Sequence, residues 1–198
     1  MGNFLDKIFG SKIEVDLVRI DLEAKLCFHE SRLDSHLASA IFQQDDAQLK
    51  QDFAQYLARV SLVEEDQYWS ASQEIALLQE YSTFYKRILG DKLFLKFDVK
   101  MEADKEIPVF FLFPLVLHAL KEGYNSMEKF PLKIKVRTFA TALQLEVINH
   151  VNPHITSQER MPLIDHFKSR VFTSYADRPT LLFNSNSHTF KANLHLPW

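Results

Sequence analysis

Glycine is scarce in this sequence, with four in 198 residues. Loops that cradle phosphate are built from glycine, because only a residue without a Cβ lets backbone N–H groups close on an anion. A chain this poor in glycine has little material for such a loop. Cysteine is scarcer still. Cys27 stands alone, which excludes an intrachain disulfide and fits a reducing compartment. No long basic tract appears and the net charge is −3, which argues against a nucleic-acid partner. No apolar run has the length of a membrane span. The longest, Val109 to Leu117, includes Pro114. Residues 1 to 13 lack a signal-peptide pattern and read as a helix start or docking arm. The expected location is cytoplasmic.

Periodicity is abundant. Residues 12 to 42 hold neither Gly nor Pro, and Leu22, Leu26, Leu33, Leu37 and Ala40 recur at helical spacing. Ile13, Leu17, Ile20 and Ala24 form a second apolar face, so this helix packs on more than one neighbour. A polar turn at 43 to 46 leads into a helix over 46 to 65. The pair predicts a helical hairpin that pairs with a second copy into a four-helix bundle. A third helix is predicted over 71 to 89, capped by Ser70 or Ser72 and ended by Gly90. Alternation predicts a strand over 92 to 99 and a hairpin over 132–138 and 142–149. Pro108 opens a strongly apolar, buried helix over 109 to 126. A helix over 160 to 175 and strands over 179–184 and 189–196 complete the chain. The fold class is therefore α+β: a helical hairpin (residues 1–66), then an α/β sandwich (residues 67–198) with helices on one face of a mixed sheet.

Residues 107 to 123 read IPVFFLFPLVLHALKEG. This resembles the asparagine box of the LytS-type sensor histidine kinases, I-P-x-x-x-L-x-P-L-V-E-N-A-x-K-H-G. Both prolines, the Leu-Val pair, the Ala, the Lys and the Gly are present. The resemblance extends over roughly residues 20 to 197. It implies a dimerising hairpin followed by a GHKL-type, ATPase-like domain. It also implies that the functional positions have changed. Leu117 and His118 stand where the family has the Glu that assists phosphoryl transfer and the Asn that carries magnesium. Asn149 and His150 follow Leu145-Glu146-Val147-Ile148 where the family enters its glycine-containing adenine loop. Met161 and Leu163 replace the glycines of the second glycine box, although Arg170 survives.

Each hydrogen bond to a charged group is worth roughly 1.5–3 kcal/mol. Losing three or four of them, plus the metal, removes on the order of 6 kcal/mol, about four decades of affinity. The reading is a degenerate, pseudokinase-like core with no nucleotide cofactor.

The family's phosphorylated His falls on His29, with Glu30 beside it as the acidic neighbour that would assist proton removal. His29 also lies on the stripe of Leu22, Leu26 and Leu33, so a packing role competes with a phosphoacceptor role. His118, His150 and His166 all replace nucleotide-site positions and are expected along one cleft. Independent drift at a dead site is a simpler account of them than a metal site, so no metal is expected. The expected partners are a second copy of the chain and either a response regulator or a histidine kinase. Two functions compete: a non-catalytic adaptor, and an ATP-independent phosphotransferase acting through His29. An active kinase is the remaining alternative.

Overall fold

The computed structural model describes residues 16–151, 162–175, 179–186 and 188–198. The proposed N-terminal arm and the adenine-loop stretch from Asn152 through Met161 lie outside the described residues.

Asp16 opens α1 (Leu17–Arg32) by accepting the Arg19 N–H. The single helix expected over 12 to 42 is in fact two. Leu33 is extended, and Asp34 caps α2 (Ser35–Phe42) by accepting the N–H groups of His36 and Leu37. The apolar periodicity runs through this break, but an Asp carboxylate competes for backbone N–H groups and restarts the helix. The chain doubles back through residues 43–46 into α3 (Ala47–Ser61), which Asp46 caps. This is the expected hairpin, with a kinked first arm.

A short strand β1 (Tyr68–Ser70) leads into α4 (Ala71–Leu89). Ser70 and Gln73 form a reciprocal capping box at its start. Gly90 ends it with φ 54°, a conformation that favours glycine. Next come β2 (Leu95–Met101) and β3 (Glu106–Pro108). β3 pairs with β1, a two-stranded element absent from the sequence reading. Helix α5 (Phe113–Glu122) is shorter than the expected 109–126. Its first residues are held in a turn instead, because the buried Glu74 carboxylate accepts the N–H groups of Phe110 and Leu112. It stops at Gly123, where a Cβ would lie 2.3 Å from the Ala119 carbonyl.

The remaining elements are β4 (Leu132–Thr138), β5 (Ala142–His150), α6 (Pro162–Tyr175), β6 (Thr180–Ser185) and β7 (Thr189–Pro197). The five-stranded sheet has the order β2-β4-β5-β7-β6. β2 and β4 are parallel and the other neighbours antiparallel, so the sheet is mixed. Helices cover one face, over Ile134, Val136, Leu145, Val147, Ala192 and Leu194. All six are essentially solvent-free. The α+β class expected from the sequence is the class observed.

The core is continuous from the hairpin to the sheet, with Cys27, Phe28, Ile41 and Phe53 in the same cluster as Leu143 and Leu196. Helix α1 lies along α6. Ser169 donates to the Glu23 carboxylate at 2.6 Å, and Glu30 meets His166 at 2.9 Å.

Candidate functional site

Helix α5 carries Leu117 and His118, the two positions that the resemblance sets against the Glu and Asn of an asparagine box. Leu117 is 1% exposed and packs in the core. His118 is 6% exposed, with its ring edge-on to Phe190 of β7 at 5.2 Å. Burial lowers its pKa to about 4, so the ring is neutral at ordinary pH. Neither side chain offers an oxygen for magnesium. Asn149, the register partner of Phe190, is also buried. Its amide nitrogen donates to the His150 carbonyl at 3.0 Å, and its amide oxygen has no hydrogen-bond partner among the described residues. Leu163 is half-buried and packs against the core. Met161 lies outside the described residues.

Each of the three histidines expected along one cleft has its own partners. His118 faces Phe190. His150 stacks on Phe130 at 5.1 Å and parallels His188 at 6.3 Å. His166 is tied to Glu30. Among the described residues, no three His, Cys, Asp or Glu side chains gather into a group able to hold a metal.

Arg170, which the resemblance sets against the Arg of a second glycine box, is 3% exposed. It donates to the carbonyls of Phe110 and Val109, and its guanidinium lies over Phe28 and Phe111. Arg170 therefore binds the loop before α5 to α1 and α6. Lys121, which the resemblance matches to the Lys of the asparagine box, turns to Asp34 at 3.0 Å. The Asp34 carboxylate also accepts the hydroxyls of Tyr81 at 2.7 Å and Tyr85 at 2.6 Å. Burial works to raise the Asp34 pKa, but the two tyrosines and the Lys121 ammonium outweigh it and hold the carboxyl below its usual range. Sequence reasoning missed this cluster. Its one visible signal was an Asp inside an apolar helical stripe.

His29 is exposed on α1. Its Nδ1 lies 3.3 Å from an Arg32 guanidinium nitrogen, and its ring meets Phe28 edge-on at 5.2 Å. Adjacent helical residues point about 100° apart, and Glu30 accordingly faces α6 and His166 rather than His29. Two hollows are present elsewhere. One, of about 430 Å³, lies between α1 and α3 and is lined by Leu33, Ala54, Leu57 and Ala58 among others. The other, of about 290 Å³, opens on the outer face of the sheet. Neither borders Leu117, His118 or Asn149. No helix of the described residues is long and apolar enough to cross a membrane.

No family model matches the chain, and no curated protein matches it. Among solved structures it is similar to the histidine kinase AdeS of Acinetobacter baumannii, with TM-score 0.48 and 12% identity over 76% of this chain and 77% of that one. It is similar to a histidine kinase from Burkholderia phymatum, with TM-score 0.45 and 12% identity over 91% of this chain and 97% of that one. A bacterial phosphotransferase is a third such neighbour, with TM-score 0.46 and 10% identity over 89% of this chain and 92% of that one.

Proposed function

We propose that this chain is a two-component-type signalling protein whose histidine kinase-like scaffold has lost ATP binding and acts through protein contacts. It works as a dimer in the bacterial cytoplasm, regulating a histidine kinase or a response regulator. Residues 1–66 supply the dimerising helices, and residues 67–198 the degenerate GHKL-like domain. The observation that carries the reading is His118. It stands at the magnesium-bearing position of the box it resembles, yet it is packed against Phe190 and kept neutral by burial. Leu117 beside it is buried and supplies no carboxylate. Calorimetric titration with Mg-ATP is the test. No saturable heat is expected at millimolar nucleotide, and a micromolar Kd would overturn the reading.

A second reading is favoured by His29, an exposed imidazole on α1. In it, His29 accepts a phosphoryl group from the aspartyl phosphate of a response regulator, and no nucleotide is needed. Incubation with a phosphorylated receiver domain decides between the two. The relay requires acid-labile label on the wild type and none on His29→Ala. If neither protein takes up label, the adaptor reading stands alone.

A further inference from the structure

The outer face of the five-stranded sheet carries charge that the fold does not need. Strand register sets its side chains in three rows. In the first, Lys96 is directly opposite Lys133, and Lys191 follows across Ile148. In the middle row, Lys135 lies between Asp98 and Glu146. In the third, Lys100 is directly opposite Arg137, and His195 follows across Gln144. The face thus holds six Lys and Arg against two carboxylates, in a chain whose net charge is −3.

Like charges directly opposite on neighbouring strands destabilise the pairing. This face has two such pairs, Lys96 with Lys133 and Lys100 with Arg137. Arg137 has an ion pair with Asp98, and Lys135 and Lys191 share Glu146. Lys96, Lys100 and Lys133 have no carboxylate partner among the described residues. A packed core accounts for the inner face of the same strands and not for this arrangement.

We propose that this outer sheet face is a docking surface for an acidic protein segment, whose carboxylates seat on the two outer rows of cations. The chemistry of the face selects that class of partner. It presents no Phe, Tyr or Trp, so it lacks the stacking platform on which single-stranded nucleic acid binds. Its middle row places Asp98 and Glu146 where a polyphosphate or an anionic bilayer would meet them, whereas a protein can set its own donor there. The hollow of about 290 Å³ at this place mixes Lys135 and Arg137 with Gln144, Glu146, Asn193 and His195, a set that reads side chains rather than charge alone. Rows spaced by two strand residues, about 7 Å, set the two outer rows about 14 Å apart, the spacing of side chains i and i+4 of an extended peptide, with residue i+2 over the middle row.

The test is fluorescence anisotropy on the full chain, with three probes. These are a labelled peptide of the repeat Glu-Ser-Gln-Ser, which sets Glu at i and i+4 and an amide donor at i+2, oligo-dT of matched charge, and vesicles of phosphatidylcholine with phosphatidylserine. The peptide is expected to bind most tightly and to dissociate as salt is added. The double variant Lys100→Glu, Lys133→Glu turns both like-charge pairs into opposite-charge pairs. It is expected to weaken peptide binding at least about tenfold while its thermal midpoint stays at or above that of the wild type. Lys86→Glu, at an exposed position of α4 away from the sheet, is expected to change neither. The proposal is overturned by absent peptide binding, by equal binding in the double variant, by equal weakening in Lys86→Glu, or by tighter binding of oligo-dT or vesicles. This face lies across the sheet from α5 and α6, so its failure and the failure of the ATP-site reading show in separate titrations.

Discussion

His118 and Glu74 are both buried and titratable, and burial moves their pKa values in opposite senses. His118 titrates near 4 in the fold against 6.5 when free, because burial penalises the cation. The unfolded chain therefore binds more protons between those values. The stability tied to a neutral His118 is fully present above about pH 6.5 and is lost as pH falls through 4, on the order of 3 kcal/mol in all. Glu74 is raised to about 7, chiefly by burial, with the amide donors of Leu112 and Phe110 working against it. Its contribution is full below pH 4.5 and is lost as pH rises through 7. The two opposing slopes mask one another in the wild type. In His118→Leu the His118 slope disappears and that of Glu74 is left unopposed, so between neutral pH and pH 4.5 the urea midpoint should rise relative to that of the wild type. An unchanged slope would show that His118 is solvated.

At the scale of elements, Asp34 decides how the first helices meet the rest. Its carboxylate caps α2, accepts two tyrosine hydroxyls from α4 and pairs with Lys121 at the end of α5. Removing it takes the acceptor from five donors, the two tyrosine hydroxyls among them buried. Asp34→Ala is expected to cost about 3–5 kcal/mol, the range for a buried pair that loses one partner. Tyr85→Phe removes one donor and leaves the carboxylate otherwise served, so about 1 kcal/mol is expected. Urea denaturation followed by circular dichroism measures both. If Asp34→Ala costs no more than an ordinary N-cap, about 1 kcal/mol, the cluster is not what holds the hairpin to the sandwich.

For the whole molecule, the outward side of α1 remains apolar. Val18 is 81% exposed, Leu22 57% and Leu26 41%, while Leu57 and Ala58 line a groove beside Leu33. A contiguous apolar strip of this kind is characteristic of an interface. On the dimer reading, light scattering after gel filtration gives twice the chain mass for the wild type. Leu22→Glu with Leu26→Glu gives the monomer mass, with the circular dichroism spectrum retained. A monomeric wild type at tens of micromolar would end the bundle model.

Much of this was written locally. Helix α4 runs over the expected 71 to 89, with its cap and its glycine stop, because capping box, periodicity and Gly90 all lie within one segment. The β4–β5 hairpin follows from alternation that needs no distant partner. The scarcity of glycine and the presence of Leu117 and His118 on an apolar helix are equally properties of the sequence alone. What the tertiary structure decided depends on residues far apart in the chain. Asp34 caps a helix locally, but its carboxylate is held in the interior at that place by Tyr81, Tyr85 and Lys121, which lie far along the chain. Strands β1 and β3 exist only as each other's partners. Glu30 turns from His29 to His166 because α6 packs along α1. The basic rows appear only when parallel pairing sets Lys96 against Lys133 and Lys100 against Arg137. Periodicity reports which side of an element is apolar, but only packing selects the neighbour that a polar side chain meets.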